Sequence, residues 1–246
     1  MLVVRTMCWL RLVFVTGVFC FVPPAFSVVD NDGVDSLWDV KSLAAYLPLY
    51  KSELRVVNEE ALMLQSVSLS PKEGYVLDFS QQRNIAILSK PLLSEGQFLY
   101  RENEGICWAI NKPFLTTLVL MESTIVQKNE DGSEHVIDGT KNPIVAELTG
   151  LFTSIFSGNN QKIFSAFDVY LLQGKPSLMP KAGWMLGLKP KSDLMIGIPK
   201  EIRLVGEDNL RWIWFSNKSG DETLIEFSAA DALRSENVVV RCFGRT

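Results

Sequence analysis

Short runs of alternating apolar and polar residues dominate the middle and the end of this 246-residue chain. Alternation with a period of two is typical of β-strands, because successive side chains point to opposite faces of a sheet. Turn-forming residues separate the runs, and Asn129-Glu130-Asp131-Gly132 is a hairpin signal. The pattern therefore predicts a mainly β fold, with strands at 74–82, 97–101, 116–121, 124–128, 134–137, 167–172, 183–188, 201–205, 210–215 and 223–227.

One segment has the spacing of an amphipathic helix instead. Its apolar residues fall at i, i+4, i+7, i+8, i+11 and i+12, and they are Ile144, Leu148, Leu151, Phe152, Ile155 and Phe156. Asn142 suits the N-cap, Pro143 the first helical position and Gly158 the C-terminal stop. A helix that closes a core and a lid that covers a ligand would both show this stripe. A weaker helical pattern covers 37–47, and 54–69 has mixed preferences.

Several predicted strands carry large apolar side chains on both faces. Trp212 and Trp214 share one face of a strand, whereas Ile213 and Phe215 share the other. A sheet of this kind has to cover both faces. Either helices pack on both sides, or one concave face is left as a cavity for an apolar ligand.

The N-terminal residues follow the order of a secretory signal. Two arginines precede the apolar run 12–22, and Ala25-Phe26-Ser27 fits a signal-peptidase site. We expect 1–27 to be cleaved, because the apolar run is short for a membrane anchor. An uncleaved anchor and lipidation at Cys20 are the alternatives.

The remaining residues exclude several classes of partner and chemistry. Without 1–27 the chain has 22 Lys and Arg against 28 Asp and Glu, a net charge of −6, so nucleic acid is not expected as a partner. We expect Cys107 and Cys242 to be unpaired, with a disulfide as the alternative. His135, the single histidine, is expected to be solvated near a hairpin tip. We expect no metal, no cofactor and no enzyme activity, since the sequence has no zinc-ligand spacing, phosphate loop, dinucleotide motif or nucleophile elbow.

Short motifs follow one another through the predicted strands. They are Phe79-x-Gln81-x-Arg83, Lys90-Pro91, Ser94-x-Gly96-x-Phe98, Arg101, Gly105-x-x-Trp108 and Pro113, then Phe156-Ser157-Gly158, Gly183-Trp184-x-Leu186-x-Leu188-x-Pro190-Lys191, Ile202-x-Leu204-x-Gly206 and Gly220-Asp221-x-Thr223-x-Ile225-x-Phe227. Together they resemble the periplasmic outer-membrane lipoprotein carrier family, the LolA-like proteins, over 74–227. The chain departs from the family in a longer segment before Gly74 and in Glu102, where a proline follows the family's functional arginine.

The resemblance implies an α+β, mainly β fold: an antiparallel sheet curved into an unclosed half-barrel, with helices covering the open face. We expect a signal peptide at 1–27 and a single LolA-like domain at 28–246, a monomer in the periplasm. The implied function is a carrier that holds acyl chains of a lipoprotein or other lipid, with an inner-membrane exporter as donor and an outer-membrane acceptor. The alternatives are a non-shuttling module that scaffolds or senses an envelope complex and, more weakly, a hydrolase of lipid intermediates.

The resemblance also favours a cavity over an ordinary core. The lipid-cavity and lid candidates are Phe98, Tyr100, Trp108, Leu148, Phe152, Ile155, Phe156, Trp184, Leu186, Trp212, Trp214, Ile225 and Phe227. Arg101 is the candidate latch that would bind a backbone carbonyl of the covering helix while the cavity is empty. The alternative for Arg101 is an exposed ion pair with Glu102 or Glu104, of little energetic consequence.

Overall fold

The computed structural model describes residues 54–56, 76–121, 124–141, 143–157, 160–172, 184–191, 199–206, 209–229 and 232–244. The predicted signal peptide at 1–27, the helical pattern at 37–47 and most of the ambiguous segment 54–69 lie outside these residues.

The described part of the chain contains twelve strands and three helices. The strands are β1 (Leu54–Val56), β2 (Val76–Asn84), β3 (Leu92–Arg101), β4 (Gly105–Lys112), β5 (Thr116–Met121), β6 (Thr124–Asn129), β7 (Glu134–Asp138), β8 (Phe167–Leu172), β9 (Trp184–Pro190), β10 (Glu201–Gly206), β11 (Leu210–Ser216) and β12 (Glu222–Ala229). The helices are α1 (Pro143–Ser157), α2 (Asn160–Ala166) and α3 (Ala232–Phe243).

All twelve strands belong to one antiparallel sheet. Their order is β1-β8-β9-β10-β11-β12-β2-β3-β4-β5-β6-β7. Two runs of consecutive hairpins, β2 to β7 and β8 to β12, are joined where β12 pairs with β2 from Glu222↔Asn84 to Ala229↔Leu77. The described strands do not close into a barrel, because β1 and β7 remain at opposite edges of the order.

The connection between the two runs explains where α1 and α2 lie. Since β7 is one edge of the sheet and β8 is next to the other, the intervening chain has to cross a face. α1 contacts β6 and α2 contacts β8, two strands that are far apart in the order, so the sheet curves around these helices. This architecture confirms the predicted unclosed half-barrel with helices over its open face.

The pleat divides the side chains of each strand between two faces. We call the face that carries α1 the inner face and the face that carries α3 the outer face. Each face has its own cluster of buried apolar residues, which we call the inner cluster and the outer cluster. On β3 and β4, Phe98 and Trp108 belong to the inner cluster, whereas Leu99 and Cys107 belong to the outer cluster. The alternation read from the sequence thus separates two buried layers, as an antiparallel sheet covered on both sides requires.

The outer face of β4 is covered by α3, which lies beyond the last predicted strand. Val238 and Cys242 are four residues apart and pack on this face. Cys242 forms a disulfide with Cys107 of β4, with Cα atoms 5.9 Å apart. The expectation that the two cysteines are unpaired is therefore wrong. The predicted elements do not include α3, the helix that places Cys242 over β4.

Arg241 adds a polar attachment between α3 and the sheet. Its guanidinium donates to the backbone oxygens of Ile110 at 2.8 Å and Thr116 at 3.1 Å, and to the side chains of Asn111 and Thr117, each at 2.6 Å. The C-terminal helix is thus held to β4 and β5 by a covalent bond and a multidentate arginine.

Candidate functional site

Ten of the predicted cavity residues come together on the inner face. They are Phe98, Tyr100, Trp108, Phe152, Ile155, Phe156, Trp184, Leu186, Ile225 and Phe227, and all are buried in one cluster. Four strands and α1 supply them, because alternation along each strand turns every second side chain towards the helix. The cluster is continuous across the joint between the two hairpin runs.

Aromatic side chains of α1 fill the centre of this cluster. The Phe156 ring lies 4.2 Å from the Phe98 ring and 6.0 Å from the Phe227 ring, measured between centroids. Phe152 stacks one turn away, 6.5 Å from Phe156. Trp108 continues the cluster beneath Phe98, at 5.3 Å. The helix therefore occupies the concave face with its own apolar groups.

A cavity remains between α1 and α2. Its volume is about 160 Å³, and it is lined by Ala146, Glu147, Gly150, Leu151, Ser154, Lys162, Ile163, Ala166 and Phe167. Small-molecule sites usually measure roughly 300–1,000 Å³. This cavity is too small for a long acyl chain while α1 stays where it is.

Among the described residues of α1, the helix that covers the inner face, few local features stabilise the helix. α1 has no acidic residue in its first turn and no basic residue in its last turn, so nothing of that kind offsets its dipole. Gly150 lies in its interior, where glycine is less favourable than alanine. The buried Ser154 hydroxyl donates to the Gly150 carbonyl at 2.6 Å, within the helix itself. Apolar packing on the inner face is therefore the main stabilising interaction of α1.

The other three cavity candidates are not among the ten candidates that belong to the inner cluster. Trp212 and Trp214 lie on the outer face, because their neighbour Ile213 pairs with Ile225 and belongs to the inner cluster. Their placement in the cavity is wrong, since both faces of β11 are apolar and the sequence alone does not say which one faces α1. Leu148 lies in α1, but its side chain is outside the described part.

Arg101 is placed on the outer face rather than beneath α1. Its guanidinium lies 3.6 Å from the Glu104 carboxylate and 5.8 Å from the centre of the Phe243 ring of α3. The side chain is about one-third exposed. In this structure Arg101 thus takes the ion pair with Glu104, and the helix it contacts is α3, not the covering helix of the latch hypothesis.

The inner cluster contains residues that the candidate set omits. Phe79, Ile163 and Phe167 are all buried there, and Phe79 lies 4.7 Å from Trp108. Phe79 is the first residue of the motif Phe79-x-Gln81-x-Arg83, so the sequence does contain a signal that could have identified it. Ile163 belongs to α2, a helix of seven residues that is too short to give a clear periodic pattern.

The chain has matches of low sequence identity among solved structures. None of the helices in the described ranges is long and apolar enough to cross a bilayer. No curated protein matches the chain. Among solved structures, the chain resembles a LolA superfamily protein from Nitrosomonas europaea (12% identity, 72% of this chain and 95% of that chain, TM-score 0.37) and a DUF1329 family protein from Desulfovibrio piger (9%, 69% and 90%, 0.38). It also resembles MucB (12%, 71% and 61%, 0.34).

The match to a family model is more extensive. The model described as "Outer membrane lipoprotein carrier protein LolA-like" matches residues 59–243, which include every described strand from β2 to β12 and all three helices. Its members are periplasmic lipoprotein-binding or sorting proteins, and the family is not an enzyme family. The chain belongs to the LolA-like family of outer membrane lipoprotein carrier proteins.

Proposed function

We propose that this chain is a periplasmic carrier that takes the acyl chains of a lipoprotein or other lipid between α1 and the inner face of the sheet. The observation that supports the proposal best is the aromatic packing of Phe152 and Phe156 against the inner strands. In the empty protein these side chains occupy the volume that a cargo chain would take. Cargo binding then exchanges one set of apolar contacts for another.

The energetics of an acyl chain explain why such an exchange is useful. Each buried methylene is worth about 0.8 kcal/mol, so a carrier has to supply a large apolar surface in order to hold a chain in water. A permanently open cavity of that size would expose apolar area to solvent. Covering it with a helix that is stabilised mainly by packing avoids this exposure and leaves the helix able to move aside.

The remaining elements of the proposal follow from the family. The donor would be an exporter in the inner membrane and the acceptor a component of the outer membrane. The protein would act as a monomer after removal of 1–27. Intact mass of the protein purified from the periplasm tests the processing, since a species that keeps Met1, or one that begins at a lipidated Cys20, contradicts it.

One observation favours the alternative of a binding module that does not shuttle lipid. In the described residues, side chains of α1 and the strands pack against one another on the inner face, and the cavity between α1 and α2 is about 160 Å³. A module that scaffolds or senses an envelope complex would need no larger cavity. In that case α1 would stay packed during function.

Two measurements separate the carrier from the module. Native mass spectrometry of the periplasm-purified protein should detect a co-purifying acyl species if the protein is a carrier and none if it is a module. A fluorescent fatty-acid probe should bind Phe156→Ala more tightly than the wild type, because the truncated side chain no longer competes with the probe. Leu99→Ala is the control, because Leu99 is buried on the outer face of β3 and its truncation should leave the probe affinity at the wild-type value. Equal probe affinities of the two variants and the wild type would contradict the carrier.

A further inference from the structure

Exposed apolar side chains concentrate at one end of the sheet. Five of the eight large hydrophobic residues that are exposed in the described ranges lie in or next to two turns, and they are Ile87, Leu88, Leu93, Phe114 and Leu115. We call these five residues the tip patch. Ile87 is the most exposed of all, with 90% of its surface accessible. Single exposed hydrophobics are ordinary, but a cluster of them indicates an interaction site.

The strand register places the two turns side by side. β2 and β3 are joined by 85–91, and β4 and β5 are joined by 113–115. Because β3 and β4 are antiparallel neighbours and Glu95 pairs with Lys112, both turns are at the same end of the sheet. Neighbouring strands are only about 4.8 Å apart, so the turns form one projecting surface.

The more exposed turn is anchored to the neighbouring hairpin. The Leu88 amide donates to the Ile85 carbonyl at 2.9 Å, which closes the turn. The Ala86 amide donates to Oδ1 of Asp221 at 3.0 Å, in the turn between β11 and β12. Ile87 is therefore held outwards by a turn that is hydrogen-bonded on both sides of it.

The charges around the tip patch differ from those of the whole chain. The two turns contain no Asp or Glu, although the chain has 28 such residues. Lys90 is in the first turn, and Lys112 immediately precedes the second, where it pairs with Glu95 at 2.9 Å. The two projecting turns are therefore apolar, and Lys90 is the charged residue within them. Such a surface is complementary to an anionic lipid surface, where apolar side chains enter the acyl boundary and an ammonium group meets phosphates.

We propose that the tip patch docks the protein on the surface of an anionic lipid bilayer. The projecting shape favours a bilayer, because a membrane accepts convex turns, whereas a protein partner would need a matching groove. Docking is reversible, since only a few side chains enter the lipid. The proposal does not depend on lipid carriage, because the tip patch is formed by strand ends and not by the inner face.

Flotation with vesicles tests the proposal on the full mature protein. The wild type should float with vesicles of phosphatidylethanolamine and phosphatidylglycerol, and float less with phosphatidylcholine alone or at high salt. The double variant Ile87→Asp/Leu88→Asp should lower the partition coefficient about tenfold or more, because two apolar groups no longer enter the lipid. Phe114→Asp, in the other turn, should lower it as well. Val136→Asp is the matched control, because Val136 is exposed on the edge strand β7 and should leave partitioning unchanged.

Several results would overturn the proposal. They are a wild type that does not float, a double variant that floats like the wild type although its melting curve is native, and a loss of flotation in Val136→Asp equal to that of the double variant. A wild type that sediments as a dimer and does not float would assign the tip patch to a second copy of the chain. Binding of the fatty-acid probe should be unchanged in the double variant. A wild type that floats but binds no probe would contradict the carrier and leave membrane docking standing.

Discussion

At the scale of single residues, Gly96 shows how tightly β3 and β4 approach one another. Gly96 pairs with Ile110 beside an irregularity in the register, and a Cβ built on it would overlap the Ala109 carbonyl oxygen. Gly96→Ala should therefore lower the free energy of unfolding by about 1–3 kcal/mol, measured by urea denaturation. Gly187→Ala is the control, because its Cβ would meet only the Tyr170 Cβ at 3.7 Å. A loss in the control equal to that in Gly96→Ala would contradict this explanation.

Arg101 gives a second prediction at this scale. Its ion pair with Glu104 is partly exposed, and such pairs contribute about 1 kcal/mol or less. Because the side chain faces α3 and not α1, we expect Arg101→Leu to bind a fatty-acid probe and to transfer it to acceptor vesicles at the wild-type rate. A variant that accepts the probe but fails to release it would restore the latch hypothesis.

At the scale of elements, α1 is the part whose packing matters most for the proposed function. Phe152→Asp would bury an unpaired charge among aromatic rings, so the variant should lose several degrees of melting temperature or disorder α1, and lose probe binding. Ser157→Asp places the same charge at an exposed position of the same helix, and it should cost little beyond an unfavourable dipole interaction. If Phe152→Asp keeps both its melting temperature and its probe binding, the stripe does not pack on the sheet.

The elements differ in how far the sequence predicts them. Ten of the twelve described strands and α1 are predictable, because each repeats its apolar period over several residues. β1 and β4 are not among the predicted strands, and β1 has only three residues in a segment of mixed preferences. α2 has seven residues and shows less than two full turns of pattern. In α3 the signal is the spacing of Val238 and Cys242, but their position over Cys107 depends on the tertiary fold. The face that Trp212 and Trp214 occupy is decided by cross-strand register, which a strand with two apolar faces does not specify.

The disulfide that attaches α3 to the sheet gives a further prediction at the scale of elements. The disulfide joins cysteines that are 135 residues apart. Replacing both with serine should lower the free energy of unfolding by about 2–4 kcal/mol, because the unfolded chain is no longer constrained. Hydrogen exchange should increase in α3 first. Arg241→Lys, with the disulfide intact, is the comparison. It removes the multidentate hydrogen bonds of the guanidinium but keeps the positive charge, so hydrogen exchange in α3 should increase less than in the serine variant. Unchanged exchange in the serine variant would show that the disulfide does not hold the helix.

At the scale of the whole molecule, the two hairpin runs are joined by more than the ladder between β12 and β2. Asp221, in the turn before β12, accepts a hydrogen bond from the Ala86 amide at 3.0 Å and one from the Asn217 side chain at 3.1 Å. Arg83 of β2 lies 3.9 Å away. Burial acts to raise the pKa of Asp221, but the hydrogen bonds and the charge of Arg83 outweigh it and lower the pKa below its ordinary value of 3.8.

The lowered pKa of Asp221 predicts the direction in which the stability of the protein changes with pH. A carboxyl group whose pKa is lower in the folded state binds fewer protons there, so it stabilises the fold above its unfolded pKa and loses this effect as the pH falls through its folded pKa. Asp221→Asn should therefore be less stable than the wild type near neutral pH, and the difference should shrink below about pH 4. Urea denaturation across this range measures it. Asp131→Asn is the comparison, because hydrogen bonds from Ser133 of its own hairpin also lower the pKa of Asp131. It should show a pH dependence of the same sign without loosening the joint between the runs. A stability difference between wild type and Asp221→Asn that stays constant with pH would exclude the carboxylate as the source of the coupling.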